Sequence, residues 1–474
     1  MRCMMHAPLF LFCCPCEKGP AMIVAWTRPL FQWDELDDSP DLKTIRNFLR
    51  ILPDAKLLAA LRRARGRGRN DYPVHVLWGV VVLTPLLRHT SYTQTLAELA
   101  RNPSLARLVG IESPEDVPKA WNVSRFLDVL GREPFLTILR EMFDELVRTT
   151  AEEVEELGCR LAGDAMSLLG RRGRSGREEG LPGPTGGRKE YEDESGRVVK
   201  VYEWFGYKLH VLVDTLHEVV VAYRVSSANV ADNKMLGELL AQAERNLPGS
   251  DGGSRIETLA YDRAADDGDI YRQLVERGVK PVIVNRRLWR DEKERLLPGH
   301  DGTTNIVYDE AGTVYCYDKV SEPPIRRRMA YIGYEPQRGT LKYRCPAMHH
   351  GFRCASHRRC NAGKRYGKTV RVKCEIDLRR FPPIPRATKK FERLYRGRGA
   401  VERVNARLRL FWGVDDGNVT GARRFHARVG VVMVVHIGLA VLLAAVPKRR
   451  GVLGQTRLRK VAEALRHRVG LGGR

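Results

Sequence analysis

The chain has 474 residues, with 81 Lys and Arg against 57 Asp and Glu, a net charge of +24 and a pI near 9.8. That length holds two or three domains with sizeable cores, and the basic surplus points to a polyanionic partner, nucleic acid being the commonest, with an Arg-rich, high-GC genome as the rival account. The ten cysteines show no even, closely spaced framework, which argues against a secreted disulfide scaffold and for a reducing cytoplasm.

Residues 1–39 form an amino-terminal extension. Its apolar run, Ala7 to Cys14, is too short to span a bilayer and lacks a small-residue cleavage pattern. Met22 opens a more ordinary sequence and is the expected start; Cys3, Cys13, Cys14 and Cys16 are not expected to be ligands. Residues 40–150 read as all helical. Leu42–Leu52 and Ala55–Arg65 carry helical apolar spacing, Pro73 opens a strongly apolar segment to Leu87, and Ser91-Tyr-Thr-Gln94 fits a capping box. A further helix from about Ser124 past Phe143 should break near Gly131 and Pro134.

From residue 155 to 285 the pattern becomes mixed α/β. Gly158–Leu169 reads as a buried strand ending at Asp164, and 170–197, rich in Gly, Arg and Glu, as a mobile loop. Trp204–Asp214 and Glu218–Val225 form a hairpin with its turn near Thr215–His217. A helix over Lys234–Arg245 follows. The strand Ile256–Asp262, the helix Asp269–Arg277 and the strand Pro281–Asn285 then make a unit whose strands should pair in parallel.

Residues 286–392 are a long insertion with Cys345, Cys354, Cys360 and Cys374, and with His349, His350 and His357 among them. Three thiols and a His suit a tetrahedral structural Zn²⁺, although the set lacks a Cys-x-x-Cys knuckle and free thiols are the alternative. Residues 393–447 hold a basic amphipathic stretch, Tyr395 to Trp412. Read at about 100° per residue, it puts Tyr395, Arg398, Glu402 and Arg409 on one stripe beside an apolar arc of Leu394, Val401, Val404, Leu408, Phe411 and Trp412; Gly397 and Gly399 weaken its first turn, so Tyr395 either joins the helix or precedes it. Val429–Val446 carries no formal charge and reads as a core helix rather than a membrane span, so no membrane partner is expected. The tail, 448–474, has nine basic residues against Glu463 alone and is either frayed or an extra DNA contact.

The order Tyr395, two residues, Arg398, three residues, Glu402, six residues, Arg409 resembles the signature of bacterial insertion-sequence transposases of the DDE type. Arg409 stands where that family usually has Lys, keeping the charge but not the geometry. Gly206-Tyr-Lys-Leu-His210, Ala228-Asn-Val-Ala-Asp232 and Asp262-Arg-Ala-Ala-Asp266 resemble further phrases of the family, and the likeness covers roughly residues 70–445. The resemblance implies an α/β, RNase H-like catalytic core, split by the insertion, behind a helical domain that grips terminal-repeat DNA.

It also implies catalytic and metal-binding roles for Asp164, Asp262 and Glu402, holding two Mg²⁺ or Mn²⁺ ions for phosphodiester cleavage and strand transfer. Tyr395, Arg398 and Arg409 are the expected DNA contacts; Asn405, one turn past Glu402, is expected to orient that carboxylate or to touch DNA. Partners are double-stranded DNA, as element ends and target, and a second copy of the chain holding the other end, in the nucleoid-associated cytoplasm. The alternatives are a structure-selective RNase H-like nuclease and a non-catalytic DNA-binding remnant of a transposase.

Overall fold

The computed structural model describes residues 39–474, apart from 67–70, 172–179, 194–196, 250–252, 287, 291–292, 299–304, 319, 417–418, 447–451, 455–457 and 470–474. The expectations for the amino-terminal extension, its cysteines and Met22 lie outside the described residues. Seven helices come first: α1 (Pro40–Ile51), α2 (Ala55–Arg65), α3 (Val74–Leu86), α4 (Tyr92–Arg101), α5 (Pro103–Arg107), α6 (Ala120–Leu130) and α7 (Phe135–Glu153). The break between α6 and α7 falls at Gly131–Pro134, where backbone of residue 423 lies so close that a Cβ on Gly131 would sit 2.2 Å from its carbonyl oxygen. At α4 the cap is split between two residues. Ser91 Oγ accepts from the Gln94 amide at 3.3 Å, but Gln94 Oε1 returns to the amide of Thr90, not to that of Ser91.

The central sheet contains β1 (Arg160–Leu169), β2 (Thr185–Glu192), β3 (Val198–Asp214), β4 (Val220–Ser227), β5 (Thr258–Tyr261) and β6 (Lys280–Ile283), with α8 (Leu236–Asn246) and α9 (Gly268–Glu276) in the connections. Neighbouring strands run β4-β3-β1-β5-β6, with β3 antiparallel to both β4 and β1, and β5 parallel to both β1 and β6.

Two sequence expectations are corrected. The first strand does not end at Asp164 but continues five residues to Leu169, because β3 is long enough to pair with all of it. The stretch 170–197 is also not simply a loop. Its part 185–192 is β2, which pairs with the first half of β3 and supplies hydrogen bonds to backbone groups that run beyond β1.

The insertion folds as two antiparallel sheets. One has β7 (Arg295–Leu296), β8 (Ile306–Tyr308), β9 (Val314–Asp318) and β10 (Ile325–Arg328); the other has β11 (Ala330–Glu335), β12 (Thr340–Arg344) and β13 (Thr369–Lys373). The short helices α10 (Pro346–His350) and α11 (His357–Asn361) lie between β12 and β13. These sheets have their own small apolar core, around Ile306, Val314, Leu341, Val370 and Phe381.

The chain then returns through α12 (Lys389–Arg396), α13 (Gly399–Leu410), α14 (Ala422–Ala444) and α15 (Leu458–Val469). A helix that is apolar on every side must be enclosed. Accordingly α3 buries every residue but His75, and the most apolar window of α14, with mean hydropathy 2.2, is 94% buried. α14 packs against α3, α6 and α7 and also touches β4, so the amino-terminal helices and the sheet share one continuous core. The tail is partly folded: α15 packs on α1 and α14 and buries Val461 and Ala462.

The insertion is bolted to the sheet through Asp266, whose side chain is fully buried. It takes Arg379 Nη2 at 2.7 Å and Arg386 Nη2 at 3.3 Å, from positions 113 and 120 residues later, and accepts from the Arg286 amide at 2.6 Å. Removing one partner of such a cluster strands the others without countercharge. Asp266→Ala is therefore expected to lower unfolding free energy by about 3–5 kcal/mol, read as a shift in the urea midpoint; a change inside experimental error would show that the joint does not hold the insertion.

Candidate active site

Two expected carboxylates meet at the middle of the sheet. In the β1/β5 pair Ala162 lies opposite Ala260, and Asp164 and Asp262 stand two places further along each strand path. Gly163 makes this possible. A Cβ there would lie 2.1 Å from Tyr261 Cε2, so only Gly lets that buried ring close over β1. Burial pushes the Asp164 carboxyl up to about 6; the Ala165 amide, Lys189 and Arg398 draw it down, and the nearby Asp262 adds to the rise. Asp262 follows β5 directly and caps a short turn, its Oδ1 accepting from the Ala264 amide at 3.0 Å.

The third carboxylate arrives on α13. The apolar side of this helix (Val401, Val404, Leu408) is buried, and polar side chains on both flanks fasten it. On one flank Arg403 Nε and Arg407 Nη2 reach Glu218 at 2.7 and 2.5 Å. Burial would raise the Glu218 carboxyl, but the two guanidinium groups outweigh it and hold the group below the usual range. On the other flank Asn405 Nδ2 donates to Asp164 Oδ2 at 3.1 Å. Asn405 thus bonds Asp164 and not Glu402, the carboxylate whose orientation was one of its two expected roles, beside contact with DNA.

Its Oδ1 is buried without a hydrogen-bond partner among the described residues. Glu402 is more exposed and receives Arg398 Nη2 at 2.6 Å. Among the described residues no three His, Cys, Asp or Glu side chains are already gathered tightly enough to hold a metal ion.

The stripe through Tyr395 is broken. α12 and α13 are separate helices joined by tightened i to i+3 bonds at Gly397 and Arg398, and this winding rotates Tyr395 away from the α13 register. Gly397 packs at this junction, where a Cβ would meet Leu394 O at 2.9 Å. The Tyr395 ring lies parallel to Phe391, centroids 5.8 Å apart. Arg409 bonds the Ser167 carbonyl of β1 and lies 3.6 Å from Asp415, which places it at the rim of the site.

That rim bounds a cavity of about 750 Å³. Asp262 and Arg409 line it, and β2 and β3 add Arg188, Lys189, Lys200, Tyr202 and Trp204. Arg188 and Lys189 were missed because 170–197 was read as a loop, and Lys200 and Tyr202 because the hairpin was begun at Trp204, although the alternation in Val199-Lys-Val-Tyr-Glu-Trp204 carries the signal of a strand. Lys208 also lines the cavity and is held by Asp232 at 2.8 Å, so two of the sequence phrases meet through one ion pair.

The insertion's cysteines are grouped differently from expectation. Cys374 sits beyond the end of β13, near Tyr331 and Tyr334, and His349 and His350 line another cavity with Thr388. Cys345, Cys354 and Cys360 gather instead around Cys316 of β9, whose thiol is pushed up to about 12 by burial, with a further rise from those three neighbours. Sequence spacing could not supply Cys316, which reaches the others only through the pairing of separate strands.

Comparison with known families gives two matches. Residues 182–437, more than half of the chain, match the model described as "Transposase DDE domain"; residues 33–128 match "Transposase domain (DUF772)". The first span includes Asp262 and Glu402 and begins after Asp164. No curated protein matches the sequence. One similar solved structure is a cryo-EM structure of a piggyBac transposase synaptic complex with hairpin DNA, 12% identical over 91% of this chain and 80% of that one, with a TM-score of 0.36, a likeness too loose to carry an argument.

The raised Asp164 group fixes a pH effect in chelator-treated protein. The unfolded carboxyl ionises near 3.8 and the folded one at about 6, so folding is penalised as pH rises through that window. Asp164→Asn is expected to stabilise by on the order of 2 kcal/mol above pH 6 and to change nothing below the unfolded value. Thermal unfolding at both ends checks it; equal shifts at both would refute it.

Proposed function

Because the chain belongs to the family of DDE-domain transposases of insertion sequences, enzymes that act on DNA, we propose that it binds the terminal inverted repeats of its element, cuts the DNA there and joins the freed 3′ ends to target DNA. The observation that carries this is the meeting of Asp164 and Asp262 on adjacent parallel strands, with the Glu402 helix fastened to Asp164 through Asn405. The strand order β4-β3-β1-β5-β6, with β3 antiparallel to β1, supports reading the core as RNase H-like. The basic side chains along the cavity support a phosphate backbone as its occupant.

The residues fit hard divalent cations: the donors are carboxylate oxygens, Asp262 raises the charge cost of ionising Asp164, and the unpartnered Asn405 Oδ1 can accept from a coordinated water. Asp164, Asp262 and Glu402 would hold Mg²⁺ or Mn²⁺, which supplies neutralisation of charge on the attacking and leaving oxygens. Asn405 fixes the plane of Asp164. Asp262 commits Oδ1 to the Ala264 amide and keeps its other oxygen for a ligand. An exposed i,i+4 pair such as Arg398–Glu402 is worth only about 0.3–0.5 kcal/mol, so Glu402 can turn inward at little cost and leave Arg398 for a phosphate.

Arg409 at the cavity rim and Tyr395 on α12 would be contacts to the terminal strand, and the helices of 40–150 would grip the repeat. Holding two ends calls for two copies of the chain, and sizing the protein on paired ends would show a dimer; a strict monomer there would sink that part.

Labelled element-end DNA tests the reaction. With Mg²⁺ the protein should nick at the 3′ ends, and Asp164→Asn, Asp262→Ala and Glu402→Gln should each lose at least about 100-fold in rate while end binding persists, since even residues that only support a metal's ligands cost 10–100-fold. At limiting Mg²⁺ the rate should fall as pH drops through about 6, where Asp164 takes a proton. End binding without cleavage, identical in the native protein and Asp262→Ala, would favour the DNA-binding remnant.

A further inference from the structure

The insertion holds a second constellation, away from the carboxylates. Cys316 on β9, Cys345 at the end of β12, Cys354 in the following loop and Cys360 on α11 line one small cavity of about 20 Å³. That is room for a single ion or water. Four cysteines from four separate elements, spread over 45 residues, line it without yet being gathered tightly enough to hold an ion, and each thiol is free.

Two amide donors and one acceptor stand beside the sulfurs, the acceptor being Asp318 Oδ2, which takes Cys354 Sγ at 3.7 Å. Asn305 Nδ2 points at Cys360 Sγ at 3.8 Å, and Asn361 Nδ2 at Cys345 Sγ at 3.6 Å. Their orientation is fixed from the other end: Asn305 Oδ1 accepts from Lys368 Nζ at 3.3 Å, and Asn361 Oδ1 from the Lys368 amide at 2.7 Å. The oxygens are thus committed, and each NH₂ group is shared between a sulfur and a second acceptor, Tyr317 O at 3.2 Å for Asn305 and His357 Nδ1 at 3.4 Å for Asn361. Amide N–H groups and a nearby ammonium can donate to and offset the charge of metal-bound sulfur. Asp318 accepts from Cys354 Sγ at 3.7 Å, a bond given up with that thiol's proton, and its oxygens stay occupied by Ser356 Oγ, Ser321 Oγ and the amides of Val320 and Ala355, bonds that build the loop carrying Cys354.

We propose that Cys316, Cys345, Cys354 and Cys360 form a structural Zn²⁺ site that staples the two sheets of the insertion together. Four thiolates around one ion are the soft, closed, tetrahedral set that zinc takes in structural sites. The balance is four S–H bonds broken, four Zn–S bonds formed and four protons released to solvent, leaving a site of charge −2 beside Lys368 and Arg327. The four side chains stand along the cavity wall, and loss of the protons on binding would let the sulfurs draw in on the ion. His357 also lines the cavity, but its Nδ1 faces the Asn361 amide at 3.4 Å, so it is not among the four.

The full chain, produced with added Zn²⁺ and purified with its thiols reduced, should carry about one zinc per chain. Cys316→Ser and Cys360→Ser should each reduce the content to near zero, whereas Cys374→Ser and Asp164→Asn should retain it. Should the serine variants fail to fold, the unaltered protein still answers: Co²⁺ should give thiolate charge-transfer and tetrahedral ligand-field bands. Zinc should also shield four cysteines from a thiol reagent until a chelator is added. Zinc-free protein with reduced thiols and no cobalt spectrum, or zinc lost in Cys374→Ser as in Cys316→Ser, would overturn the site. The Asp164→Asn control separates it from any failure of the carboxylate site.

Discussion

The site depends on how one helix is seated. At about 100° per residue, Val401, Val404 and Leu408 of α13 point into the core, with Arg403 and Arg407 on one side of them and Glu402, Asn405 and Arg409 on the other. Each flank is tied to a different part of the sheet, the first to Glu218 in the β3–β4 turn, the second to Asp164 and Ser167 on β1. Apolar packing alone would leave the helix free to roll by some tens of degrees. Two polar anchors on opposite sides remove that freedom, because a roll that shortens one set of bonds breaks the other. Glu218 is the costlier anchor: 4% exposed, it cannot lose its arginines to water.

That seating makes the unfavourable burial of Asp164 tolerable. A carboxylate placed beside another, in the interior edge of a sheet, is a net cost to folding, and the helix offsets it with a single amide hydrogen bond. The fold carries strain of this kind where charge is wanted. The rest of the molecule is conservative by contrast, with α3 and α14 burying nearly every residue they have.

Much of this was legible in the residues. The helical spacing of α2, the break at Gly131–Pro134, the strand before Asp262, the apolar arc of α13 and the burial of α14 all follow from local pattern, and local pattern is what a sequence displays. What was missed is non-local. β2 exists because β3 is seventeen residues long and needs a partner for its first half, a fact about β3 and not about residues 185–192. Cys316 joins the other thiols only through strand pairing, and Asn405 meets Asp164 across 241 residues. The continuous stripe through Tyr395 failed for a local reason, since two glycines let the junction tighten out of α-helical register.

The position of Asp266 has a mechanical consequence. It lies four residues after Asp262, at the end of the short turn that Asp262 caps, and both bases of the insertion are fastened to it through Arg286, Arg379 and Arg386. The insertion is therefore a lever whose fulcrum adjoins a candidate catalytic residue. A load applied far out on its sheets would arrive as torque on that turn, next to the Asp262 carboxylate. A rigid lever transmits such a load and a limp one absorbs it, so the stiffness of the insertion sets how strongly events at its far end are felt at the carboxylates.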